Sequence, residues 1–212
     1  MKKFLFSLFV ALACLCSIQA APLSAPQKSE LISKINKKAS DIRQLTCSFV
    51  QTKYLSLLSD KLVSNGKMYY KKSSKLRWEY TSPYQYLFIF NGNKVYVGNK
   101  NRKDVIDTNS NKIFKEVARI MMSTVTGTAL SNSTDFTINI ADGGKAFWQV
   151  TLVPKKKDMR KMFSKIILSF NKNDLMIAEI NLYECNNDRT NIKLKNISTS
   201  SAFNENLFAI PK

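Results

Sequence analysis

Histidine is absent from this 212-residue chain, which removes the commonest general base and the commonest metal ligand. Of the four cysteines, Cys14 and Cys16 lie in an apolar N-terminal run, leaving Cys47 and Cys185. Two thiols this far apart in sequence do not make a zinc site. The six glycines form neither a phosphate-cradling loop nor a nucleophile elbow. Glu79, Asp104 and Asp107 are carboxylates near expected strand ends, where an acid–base pair could sit. Glu79, however, alternates with Trp78 and Tyr80 and should face solvent, so the three read as surface acids. Catalysis, a metal and a cofactor are not expected. In an oxidising compartment Cys47 and Cys185 could bridge, or they could be two small buried apolar residues, and spacing leaves both open.

What the chain offers instead is apolar surface in an alternating pattern. Leu76, Trp78 and Tyr80 share one face of an expected strand, and Arg77 and Glu79 share the other. Met68, Tyr70 and Lys72 share a face on the strand before it. In the next strand Leu87 and Ile89 lie opposite Phe88 and Phe90, so both of its sides are greasy. On patterning alone an ordinary core, with helices packed on the sheet, is a simpler account than a ligand cavity.

The elements that must position these residues can be read in order. Ser24 suits a helix N-cap with Pro26 in the first turn, and Leu31, Ile32, Ile35, Ala39 and Ile42 recur at helical spacing to about Arg43. Strands are expected over Thr46–Tyr54, Lys61–Tyr70, Leu76–Tyr80, Tyr86–Phe90 and Lys94–Val97, the last two flanking the hairpin signal Asn91-Gly92-Asn93. Between Ser110 and Met122 the period changes, and Ile113, Phe114, Val117, Ile120 and Met121 suit a second amphipathic helix. Strands resume at Asp135–Ile140, Phe147–Val153, Lys165–Phe170, Leu175–Tyr183 and Thr190–Ile197, with turns between them. No repeat or interdomain linker interrupts the pattern. The fold class is α+β: a long antiparallel meander with two helices.

Residues 1–20 read as a secretory signal, with Lys2 and Lys3 before a short apolar run and small residues at Ala20 and Ala21. The run is too short for a membrane span. Ala11-Leu-Ala-Cys14 loosely matches a lipoprotein cleavage box, which would anchor the chain through Cys14, but ordinary cleavage after Ala20 or Ala21 fits better. Residues 21–212 then form a single exported domain. The net charge of +18 would suit nucleic acid, anionic lipid or an acidic partner. Export argues against nucleic acid, and a lysine-covered, solvated surface explains most of the charge, with weak attraction to anionic headgroups added.

One series of motifs carries more than composition does. Ser48-Phe49-Val50-Gln51 is followed by Gly66-x-Met68-Tyr-Tyr70-Lys, then by Leu76-Arg-Trp78-Glu-Tyr80-x-x-Pro83 and Phe90-Asn-Gly92-Asn-Lys-Val-Tyr96, with Phe203-Asn-Glu-Asn-Leu-Phe208-Ala-Ile-Pro211 at the close. This series resembles the LolA family of periplasmic lipoprotein carriers over nearly the whole exported chain. The resemblance implies a half-open antiparallel β-barrel with a helical lid over an apolar concave face, and no cofactor. It implies periplasmic transport of lipidated N-termini, received from an ABC-type releasing complex in the inner membrane and passed to an outer-membrane acceptor, with the carrier expected to be a monomer. Met68, Tyr70, Leu76, Trp78, Tyr80, Leu87 and Ile89 would line the cavity, and Ile113, Val117 and Met121 would sit beneath the lid. The family's Arg-Pro, whose arginine links barrel to lid, is replaced here by Lys72-Ser73. Lys72 fits a latch and a plain surface lysine equally. A glycolipid carrier of the same fold, or a basic adaptor for an anionic polymer or partner protein, are the other functions to weigh.

Overall fold

The computed structural model describes residues 23–57, 60–72, 74–109, 122–123, 130 and 134–211. The chain opens with helix α1 (Ala25–Asp41), closed at its N-terminus by a capping box. Ser24 Oγ accepts from the Gln27 backbone N–H, and Gln27 Oε1 accepts from the Ser24 N–H at 2.8 Å. Strands β1 (Gln44–Tyr54), β2 (Lys61–Lys71), β3 (Lys75–Ser82), β4 (Tyr86–Asn91), β5 (Lys94–Gly98) and β6 (Lys103–Asp107) form one wing. The other wing holds β7 (Phe136–Asp142), β8 (Phe147–Pro154), the short helix α2 (Lys157–Met162), β9 (Phe163–Asn171), β10 (Ile177–Glu184) and β11 (Arg189–Ser198). A 3-10 turn, Glu205–Phe208, follows near the end.

All eleven strands belong to one antiparallel sheet in the order β6-β5-β4-β3-β2-β1-β11-β10-β9-β8-β7. Pairing of β1 with β11 joins the wings, and β6 and β7 remain as edges, so the sheet curls without closing. Register shifts in the β1–β11, β2–β3 and β9–β10 pairs add local twist. The strands expected from alternation are all present, with ends moved by two residues or fewer. Strand β6, helix α2 and the 3-10 turn are additions to the expected elements. In β6 the charged Lys103, Asp104 and Asp107 leave only Val105 and Ile106 to mark a strand, and α2 and the 3-10 turn, at six and four residues, are too short for helical periodicity to register.

The core lies on the concave face. Leu31 and Ile35 of α1 join Leu45, Cys47 and Phe49 of β1, Met68 of β2, and Leu76 and Trp78 of β3 in a cluster that continues through Leu194, Ile180, Leu168, Val150 and Ile140. Gly66 shows why one glycine sits inside a strand. A Cβ there would lie 2.2 Å from the Phe49 ring and 2.2 Å from the Glu79 carbonyl. Phe49, its partner across β1–β2, fills the space instead.

The signal expected at residues 1–20 lies outside the described residues, as does most of the second helix. No described helix is long and apolar enough to cross a membrane.

Candidate functional site

The concave face is built by register. Met68 pairs with Trp78, Tyr70 with Leu76, and Gly66 with Tyr80, which puts these side chains on one surface, because directly opposed residues of an antiparallel pair share a face. The same rule carries the surface onto Leu45, Cys47, Phe49 and Gln51 through β1–β2. It corrects the reading of Leu87 and Ile89. Leu76 pairs with Phe90 and Trp78 with Phe88, whereas Leu87 and Ile89 pair with Glu79 and Arg77. Phe88 and Phe90 therefore belong to the concave face, and Leu87 and Ile89 to the convex one. Both faces of β4 are apolar, so its composition could not tell them apart.

Phe49, Trp78 and Tyr80 form an aromatic cluster over Gly66. The Phe49 and Trp78 ring centroids are 4.3 Å apart, and Tyr80 meets Phe49 edge-on at 5.3 Å. The Tyr80 hydroxyl donates to Gln51 Oε1 at 3.0 Å. Burial raises the pKa of Tyr80 and of Tyr70, so both remain protonated donors. Burial also pushes the Cys47 thiol up to about 12, which leaves it an inert apolar group at neutral pH. Cys185 is exposed beyond the far end of β10, and both thiols are free, so the bridge is not formed. The Trp78 indole N–H is buried near the Tyr80 hydroxyl without an aligned hydrogen bond, so the few polar groups of this surface gather at Trp78, Tyr80 and Gln51. Phe49 and Gln51, absent from the expected lining, are central to it. The Phe-x-Gln spacing on β1 was the signal that could have placed them there.

Helix α1 spans this face and is tied to both wings. Near its N-terminus Lys28 Nζ donates to Asn139 Oδ1 of β7 at 3.4 Å. In its last turn the Ser40 carbonyl accepts from Lys72 Nζ at 2.9 Å, a cation at the negative end of the helix. Lys72 is otherwise exposed. Only Leu31, Ile35 and Ala39 of the helix are buried. Ile113, Val117 and Met121 lie outside the described residues; Met122, just beyond, is helical, half-buried and packed against the core.

The acids are occupied elsewhere. Glu79 pairs with Arg77 at 3.0 Å and Asp104 with Arg102 at 2.9 Å, while Asp107 Oδ1 accepts the Asn109 N–H. No group of three or more metal-ligating side chains occurs among the described residues. The arrangement suits flexible apolar chains, with few polar groups to demand a particular shape.

A search of curated proteins returned no match. A family model described as "Outer membrane lipoprotein carrier protein LolA" matches residues 40–211. Among solved structures, a conserved protein from Thermus thermophilus superposes with a TM-score of 0.53 at 9% identity, covering 87% of this chain and 94% of that one. The MucA/MucB complex of Pseudomonas aeruginosa gives 0.51 at 8% identity, over 85% of this chain and 60% of that one. A LolA superfamily protein from Nitrosomonas europaea gives 0.45 at 6% identity, over 86% and 97%. At these identities the likeness of the first two is one of fold.

Proposed function

The chain belongs to the family of outer membrane lipoprotein carrier proteins LolA, and from that premise we propose that it carries lipoproteins across the periplasm by sheltering their acyl chains on the concave face. The observation that carries this reading is the continuous apolar surface from β5 to β7, spanned by a helix with three buried residues. Each CH₂ withdrawn from water is worth about 0.8 kcal/mol. A long acyl chain therefore costs on the order of 10 kcal/mol to expose, and a lipidated N-terminus needs such a surface to cross water. Release requires that the cover move. Helix α1, held to the sheet by Lys28 and Lys72, is the described part of that cover, and Lys72 acts as its latch. The cargo is received from an ABC-type releasing complex in the inner membrane and handed to an outer-membrane acceptor.

Native mass spectrometry of protein isolated from the periplasm tests the cargo. Lipopeptide adducts are expected, and they should be lost in Phe88→Glu, which puts a charge on the half-buried rim of the concave face. Adducts of free glycolipid would reassign the cargo and keep the site. Lipid capture undiminished in Phe88→Glu would remove the concave face from the function. An adaptor for an anionic polymer gains nothing from this face, because its lining is apolar.

A further inference from the structure

Hairpin turns of an antiparallel sheet fall at two ends, and here the ends differ. The β1–β2, β3–β4, β5–β6 and β10–β11 turns and the α2 connection between β8 and β9 share one end. Nine large apolar side chains are exposed among the described residues, and all of them stand in or within three residues of these connections. The densest group is the β1–β2 hairpin, where Leu57 is 94% exposed, Leu62 56% and Val63 42%. Monomeric proteins rarely leave such a group in water without a use for it.

The described residues on the β1 side of this turn are tied to the neighbouring connection. The Ser56 N–H donates to Asp188 Oδ1 at 2.8 Å and the Ser56 hydroxyl to the Asn186 carbonyl at 2.9 Å. The Arg189 guanidinium lies 4.3 Å from the Tyr54 ring centre. The Cys185 N–H in turn donates to the Met162 carbonyl at 3.2 Å, so the described parts of three connections meet, next to the exposed Leu57.

Two features select the occupant. Apolar groups leave the hairpin on both sides: Leu62 pairs with Lys53 on the concave side, and Val63 pairs with Thr52 on the other, beside Tyr54. A groove in a protein covers one side of a hairpin, whereas a lipid interface accepts both. The surrounding charge is basic. Lys61, Lys157 and Arg160 are exposed in or beside the same connections, and Arg102 and Lys161 are exposed there in pairs with Asp104 and Asp158. Other acids there are engaged as well, with Glu184 and Asp188 facing Lys53 and Asp135 facing Lys156; Asp60 is exposed. We propose that this end of the sheet is a membrane-docking surface, in which Leu57, Leu62 and Val63 enter the headgroup region of an anionic leaflet and the surrounding lysines and arginines bind its phosphates. This surface lies at the end of the sheet, beyond the buried lining of the concave face, and would set the carrier on a membrane with its cavity rim nearby.

Flotation of the processed chain tests this, using vesicles of phosphatidylglycerol mixed with phosphatidylcholine and vesicles of phosphatidylcholine alone. Binding to the anionic vesicles is expected, falling as salt rises. Leu57→Asp, at a position too exposed to matter for folding, should lower partitioning about tenfold or more, and Lys157→Glu about fivefold or more at low salt. The Leu57→Trp variant should bind, and its new indole should shift its emission to the blue on the anionic vesicles. Phe88→Glu should float like the parent, so failure of the carrier reading and failure of this one are distinguishable. Equal flotation of Leu57→Asp and the parent, or an unshifted emission from the Leu57→Trp variant, overturns the proposal. So does a parent that ignores vesicles but forms an oligomer that Leu57→Asp dissolves, since the tip would then be a contact between copies.

Discussion

The two faces of β2–β4 both bury apolar side chains, yet they are covered by different means. On the convex face the cover is the C-terminal segment. Phe208 is fully buried and meets Phe203 at 5.7 Å, and Phe203 meets Tyr69 of β2 at 6.0 Å. Arg77 donates to the Leu207 carbonyl at 3.1 Å, Asn91 to the Phe208 carbonyl at 3.1 Å, and Glu205 is paired with Lys75 and Lys71. Ile89 is buried on this side, where the 3-10 turn packs on β3 and β4. On the concave face α1 contributes three buried residues, with polar ties through Lys28 near one end and Lys72 at the other. The first cover is pinned by backbone carbonyls and aromatic packing. The second rests on apolar contact and exposed lysine hydrogen bonds, which are weak in water. The proposed carrier role, with a convex face that stays shut and a concave face that opens, calls for that difference.

Substitutions can break or sharpen this contrast. The largest effect is expected from Phe208→Ala, which should cost about 3–5 kcal/mol of global stability in urea unfolding. If it instead left stability intact, the convex cover would be no more permanent than the concave one. Gly66→Ala should cost about 1–3 kcal/mol by driving a methyl into the Phe49 ring and the Glu79 carbonyl, and it strikes the concave face without touching the tail. Ile35→Ala should act locally: hydrogen exchange is expected to accelerate over Ala25–Asp41 while the amides of β1 and β2 keep their protection. Uniform loss of protection would show that α1 is part of the permanent fold. Lys72→Met should weaken the last turn of α1 by only about 0.3–1 kcal/mol, seen as faster exchange at that end, with lysine-to-arginine replacement restoring it.

The smallest effect concerns neither cover. The Ser56 N–H donated to Asp188 is the main reason its carboxyl titrates below the usual aspartate value, against the opposing effect of burial. A depressed folded pKa means that this contribution is present above the unfolded value and is lost as pH falls through the folded one. The protection factor at Ser56 should therefore fall below about pH 4, as measured by amide exchange across an acid series with the intrinsic rate at each pH divided out.

The element boundaries were legible because alternation and helical spacing are local properties of the chain. Ser24, Pro26 and the apolar residues through Ala39 suffice to place α1, and Asn91-Gly92-Asn93 places a hairpin whose Gly92 has φ +64°. The one-face assignment of Met68, Tyr70, Leu76, Trp78 and Tyr80 also follows from period two once β2 and β3 pair. It failed at β4 because Leu87, Phe88, Ile89 and Phe90 are all apolar, and only the pairing of Trp78 with Phe88 decides which pair faces inward. The charged edge strand β6 and the six-residue α2 carry no periodic signal at all.

The sequence by itself therefore determined the strand-rich α+β class, the motif series that marks the family, and the apolar character of the concave surface, because each depends on residue type and near-neighbour spacing. Tertiary structure alone decided what lies over that surface and what stands away from it. It joined β1 to β11, laid α1 from Asn139 to Lys72 and folded the tail over Ile89. It also gathered the exposed leucines and lysines at one end of the sheet. Those arrangements depend on which distant residues meet, and burial, register and the number of ties on a cover come into being only when they do.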